Sequence, residues 1–104
     1  MSVKILIRRK FRKEAVKDAA DMLMKARTNA MGNKGYISTE TLVNYDDPQS
    51  VLIISMWQSK EDWDSYNDSD TRKDHEDKYA RMFEGPTEYE IFTMGMWSEP
   101  MMLH

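Results

Sequence analysis

The chain predicts an α+β domain of order βαββαβ, in which a four-stranded antiparallel sheet carries its helices on one face. Three observations carry this reading. Val3, Ile5 and Ile7 recur with a period of two. From Lys13 to Met31 the apolar spacing changes to three and four. A turn-bounded run, Val51-Leu52-Ile53-Ile54-Ser55-Met56-Trp57, is apolar on both faces, as a covered central strand requires. Together they give the ferredoxin-like, split-βαβ topology.

The elements follow in order. Val3, Ile5 and Ile7 share one face of the first strand, with Lys4, Leu6 and Arg8 on the other, and Phe11 ends it. Val16, Ala19, Ala20, Leu23, Ala26 and Ala30 form the small-residue stripe of an amphipathic helix suited to close packing on a sheet. Gly32-Asn33-Lys34-Gly35 ends that helix with two glycines able to take positive φ. Tyr36 to Val43, rich in β-branched and aromatic residues, is the second strand. Asp46-Asp47-Pro48 turns the chain into the third. Ser59, with Asp62 completing a capping box, opens a short helix bearing Trp63 and Tyr66 on one face. Asp68-Ser69-Asp70 caps another helix running to about Glu84, whose inward stripe is His75, Tyr79 and Met82 or Phe83. Gly85-Pro86 breaks it, and Tyr89, Ile91 and Thr93 alternate with Glu90, Phe92 and Met94 in the last strand.

The 104 residues fit one domain, expected over residues 1–94, with a tail at 95–104. A chain of this size buries only about 60–70% of its unfolded surface. An apolar second sheet face therefore asks for cover, and two copies packed sheet to sheet, a homodimer with a barrel-like core, supply it. Trp97, Met101, Met102 and Leu103 make the tail too apolar to float, so it is expected on the partner subunit or a sheet edge. The absence of cysteine excludes disulfides, thiol catalysis and zinc–thiolate sites, and two histidines, His75 and His104, exclude an all-histidine metal triad within one chain. A net charge of −3 argues against a nucleic-acid partner. No apolar run reaches the roughly 18 residues of a membrane span, and the N-terminus is too polar after Ile7 for a signal peptide, so a soluble cytoplasmic domain is expected. Six of the 15 basic residues fall within the first 13 positions, whereas acids dominate 61–77. That asymmetry reads either as two solvated faces or as attraction of an anionic ligand to the first strand.

The segments GYISTETL (35–42), VLIISMWQSKEDWDSY (51–66) and EGPTEYEIF (84–92) resemble an antibiotic biosynthesis monooxygenase domain over residues 3–94. The resemblance implies ferredoxin-like subunits paired as a dimeric α+β barrel, with substrate in an apolar pocket between helices and sheet. It implies one of two chemistries: cofactor-independent oxidation of phenols or hydroquinones to quinones, or oxidative heme degradation. In the quinone-forming branch Trp57 matches the pocket tryptophan and Trp63 an aromatic position, while Ile53 stands where that branch has asparagine. The heme-degrading branch has an asparagine, a tryptophan and a histidine at positions that fall here on Ile7 (or Arg8 if the alignment slips), on Tyr66 and approximately on His75.

The candidate site follows. His75, the interior-facing histidine, suits general-base work near neutrality, or axial ligation of heme iron. Its structural alternative is packing beside Tyr79 with a hydrogen bond to Asp74 or Asp62. Ile7, Arg9, Trp57, Trp63, Tyr66 and Tyr79 are the candidate substrate-binding residues, though the aromatics serve equally as core. Arg9 shares strand parity with Ile5 and Ile7 and would stabilise a phenolate from the helix side, or else reach solvent at the strand's end. The ten methionines fill core gaps or soften a pocket. The expected function is a cofactor-independent monooxygenase acting on a small aromatic molecule. A non-catalytic ligand-binding dimer and a heme protein are the other two readings, and no metal is expected.

Overall fold

In the computed structural model, which describes residues 1–95, the order is β1 (Val3–Lys10), α1 (Val16–Met31), β2 (Tyr36–Val43), β3 (Ser50–Trp57), α2 (Lys60–Asn67), α3 (Asp70–Tyr79) and β4 (Glu88–Thr93). The strands form one antiparallel sheet in the order β2-β3-β1-β4, the expected ferredoxin-like arrangement. The tail expected to pack on a partner lies, from residue 96 onward, outside the described residues.

Alternation along β1 creates the layer. Val3, Ile5, Ile7 and Arg9 face the helices and are buried, and Phe11 beyond the strand continues the row against Phe83. Register brings Trp57, Ser55, Ile53 and Val51 of β3 opposite Val3, Ile5, Ile7 and Arg9 on that same face. Each apolar side chain fully removed from water there contributes about 1.5–3 kcal/mol, which holds the helices down. The other face carries Leu6, Leu42, Leu52, Ile54, Met56 and Phe92, of which Leu42 and Phe92 remain 44% and 49% exposed. An ion pair between Arg8 and Glu90 crosses β1 and β4 on this side.

Local details depart from the sequence reading at four places. In α1 the buried positions are Ala19, Met22 and Ala30, while Val16 and Ala20 point outward. Met22 reaches the sheet because a long unbranched side chain fills an irregular gap that a stripe of alanines would leave empty. Gly32 keeps a negative φ of −85°, since the Asn33 amide donates to the Asn29 and Ala30 carbonyls and caps the helix without a left-handed residue. The helix expected to reach Glu84 ends at Tyr79 and tightens into a 3-10 turn over Ala80–Met82. Ser59 does cap α2, accepting from the Asp62 amide at 3.1 Å, but the Asp62 side chain packs over Gly35, so the reciprocal half of the capping box goes elsewhere.

Gly35 is the tightest of these junctions. It sits at φ +84°, its carbonyl accepts from the Gln58 amide at 2.8 Å, and a Cβ there would overlap the Asp62 carboxylate and lie 2.6 Å from Asp62 Cβ. Glycine is the residue that satisfies both demands. Gly35→Ala is expected to lower the unfolding free energy in urea by about 2 kcal/mol or more. A loss below about 0.5 kcal/mol, the range of ordinary surface changes, would show that Asp62 moves aside freely.

Candidate functional site

The end of β3 and the start of α2 build an aromatic block. Trp57 is fully buried, donates its indole N–H to Ser55 Oγ at 2.8 Å, and stacks on Tyr66 with ring centres 5.2 Å apart at 22°. Trp63 meets both at 6.0 and 6.1 Å, and Tyr36 closes the far edge of Trp57 at 5.6 Å. Ser55 supplies the acceptor that a buried indole needs. Burial pushes the Tyr66 phenol above its ordinary value, with the nearby Arg72 guanidinium acting in the opposite sense.

Beside this block lies a polar cluster from three elements. Arg9 of β1 is only 4% exposed and Arg72 of α3 only 5%. Arg9 pairs with the Glu76 carboxylate, and Arg72 reaches the same carboxylate at 3.4 Å from one turn earlier on α3. Both guanidiniums also donate to the Tyr89 hydroxyl on β4, at 3.3 and 3.1 Å. The Arg9 guanidinium lies 4.6 Å from the Phe83 ring centre, and that of Arg72 5.8 and 5.9 Å from those of Trp63 and Tyr66. Two cations therefore share one carboxylate in a site largely closed to water. The Nε–H groups of both arginines are buried without a partner.

A cavity of about 40 Å³ opens between α1, the sheet and this cluster. Ile7, Arg9, Trp63, Tyr66 and Arg72 line it, with Met22 and Leu23 above and Arg27 at the exposed mouth. Of the sequence-predicted residues, Ile7, Arg9, Trp63 and Tyr66 thus come together. Trp57 stands behind Tyr66 rather than on the wall. His75 and Tyr79 line a separate groove between α1 and α3, their rings 4.8 Å apart. The expected packing of His75 on Tyr79 is present, but its Nε2 is buried without a hydrogen-bond partner. Arg9, given solvent as its alternative, is instead held inside by Glu76 and Tyr89.

Sequence reasoning missed Arg72, Glu76 and Tyr89. The signal lay in α3, where Arg72 precedes the inward pair His75 and Tyr79 by three and seven residues and so shares their face. Among the described residues no cluster of three histidines, cysteines or acids could hold a metal ion. The cavity does not fit a porphyrin either: it is far too small, and His75 is not on its wall.

With this geometry in hand, comparison with known proteins is decisive for the family. The profile of the antibiotic biosynthesis monooxygenases matches residues 2–78. The chain belongs to that family. Solved structures share its fold at low identity. SnoaB from Streptomyces nogalater, described as a cofactor-independent oxygenase, superposes with a TM-score of 0.82 at 14% identity, covering 95% of this chain and 97% of its own. Rv0793 from Mycobacterium tuberculosis gives 0.81 at 13%, covering 95% and 100%. A conserved protein of Methanosarcina mazei gives 0.81 at 14%, covering 88% and 91%. No curated protein matches the chain by sequence. Among the described residues of this family member, no helix is long and apolar enough to cross a membrane.

Two measurements test the cluster itself. Breaking a buried ion pair costs about 3–5 kcal/mol because it strands a charge. Glu76→Gln strands two guanidiniums, whereas Arg72→Met leaves one matched pair. Glu76→Gln is therefore expected to cost about 3 kcal/mol, near the low end because Glu76 is partly exposed, and more than Arg72→Met. The reverse order in urea unfolding would mean that the two arginines do not share the carboxylate. Burial pushes the His75 imidazole below its ordinary value, Arg72, Arg9 and Lys78 add to this, and Glu76 opposes it. A depressed histidine binds its proton in the unfolded chain first, so stability is full above the ordinary histidine range and declines as pH falls through it. Between about pH 7 and pH 5, His75→Gln is expected to flatten that decline. An unchanged slope would assign the decline to other groups.

Proposed function

We propose that the protein is a cofactor-independent monooxygenase that oxidises a small aromatic substrate of the phenol or hydroquinone type with O2, in the cavity between helices and sheet. The observation that carries this reading is the composition of one wall: Trp63, Tyr66 and Ile7 offer an apolar bed for a ring, and Arg9 and Arg72 bring positive charge to its edge. Family membership and the printed description of SnoaB support the cofactor-independent chemistry.

The residues divide the work. A guanidinium beside a phenolic oxygen favours the ionised form, and only the electron-rich anion gives up electrons to O2 readily. For a phenol with an open para carbon, one oxygen atom ends on that carbon as the second quinone carbonyl. The other leaves as water with the hydroxyl and ring hydrogens. The packed aromatic block behind the wall keeps water from the reacting ring. A cavity that accepts benzene is about 150 Å³. The about 40 Å³ found here therefore requires Met22 and Leu23 to swing out before a ring enters, and methionine is the side chain best suited to that. In this reading the substrate proton passes to water at the mouth beside Arg27. His75, off the cavity wall, maintains α3 rather than acting as base. The partly exposed apolar face of the sheet, Leu6, Leu52, Ile54, Met56 and Phe92, takes a second copy of the chain, so the enzyme works as a cytoplasmic homodimer.

Oxygen consumption with a panel of phenols and hydroquinones, using ¹⁸O2, tests this. The expected result is enzyme-dependent uptake, with label in the quinone formed from a phenol and in hydrogen peroxide when a hydroquinone gives up two electrons and two protons, lowered about tenfold or more by Trp63→Ala and retained by His75→Gln. No enzyme-dependent uptake across the panel would overturn the assignment. Uptake abolished by His75→Gln in a folded protein would return the base to His75.

A further inference from the structure

Charge in the cluster does not balance. Arg9 and Arg72 are each more than nine-tenths buried, both line the cavity, and they share the single carboxylate of Glu76. Each also keeps a buried Nε–H with no acceptor. A third arginine, Arg27, stands at the mouth, and among the described residues no acidic side chain lines the cavity. An uncompensated cation in a dry site is costly, and one anionic group from a ligand would remove the excess.

We propose that the cavity selects aromatic rings carrying a fixed carboxylate, held by the guanidiniums of Arg9 and Arg72, so that the substrates are aromatic acids. This rests on the ring-binding reading of the same site and names its substrate class. A phenol arrives neutral near pH 7, since its pKa lies near 10, and must give up its proton inside the cavity before it can match the excess charge. A carboxylate arrives ionised and matches the planar fork of a guanidinium with two parallel hydrogen bonds. The two unpartnered Nε–H groups are donors of the kind such a ligand uses. The Arg27 side chain at the entrance attracts the same charge from solution.

The probes are benzoate, benzamide and phenol, which share a ring and differ in charge, bound to the full chain and followed by NMR titration. Binding needs no oxygen, so this result stands apart from the activity test. Uptake without carboxylate preference would remove this inference alone, and carboxylate preference without uptake would remove the oxygenase reading alone. The expected result is that benzoate binds about tenfold or more tightly than benzamide or phenol, as charged hydrogen bonds predict. Arg72→Gln is expected to bring the three ligands within about twofold of one another. Arg27→Gln, at an exposed position, is expected to weaken benzoate binding a few-fold at low salt and little at high salt. Should Arg72→Gln fail to fold, the ligand series on the unaltered protein and the Arg27→Gln salt dependence decide the matter. Equal affinity for benzoate and benzamide, tighter binding of phenol than of benzoate, or an Arg72→Gln protein that keeps its preference would each overturn the proposal.

Discussion

Two guanidinium groups held out of water against one carboxylate set the character of the helix-covered side. Arg9 comes from a sheet strand, Arg72 and Glu76 from one helix, and the Tyr89 hydroxyl from the edge strand. Three backbone segments are therefore tied at one point, and none can shift without stranding a charge. A hydrophobic contact in the same place would hold the layers together equally well. It would not leave a cavity wall with positive charge to spare. That surplus distinguishes this region from ordinary packing and is why the site, rather than the fold, carries the functional argument.

The two faces of the sheet serve different ends. On the helix side, Trp57, Tyr66 and Trp63 form a block dense enough to close one end of the cavity, with Ser55 satisfying the one polar atom that Trp57 brings inside. Gly35 lets the chain entering β2 meet the start of α2 closely, beside the Asp62 side chain. On the opposite face, leucine and isoleucine side chains stay partly exposed and Phe92 about half exposed, interspersed with Lys4, Arg8 and Glu90.

Much of the fold was legible in the sequence because periodicity reports which side of an element faces the core. The alternation of Val3, Ile5 and Ile7, the two-faced apolar run from Val51 to Trp57, and the cap at Ser59 each map onto observed elements. The rotation of α1 toward Met22 was not legible, because alanine spacing marks where a helix can approach a sheet but not which longer side chain fills the gap. The site was legible in part. Aromatic residues at the end of β3 announce themselves by type. The arginines do not, since a buried arginine looks like a surface one until its partner is known. The partner of Arg9 lies 67 residues away on another element, and only the folded chain brings them together. His75 was legible as an inward histidine, but periodicity could not tell that the fold turns it to a different groove from the one Arg9 lines.

The central claim is that Arg9 and Arg72 keep their Nε–H groups in a dry site with no acceptor. Solvent exchange of the arginine Nε protons, resolved by ¹⁵N NMR at mildly acidic pH, reads this directly. Two resonances, removed by Arg9→Lys and Arg72→Lys respectively, should exchange far more slowly than that of exposed Arg27. If every arginine Nε proton exchanged as fast as Arg27, the cluster would be open to water and the argument from its surplus charge would fall.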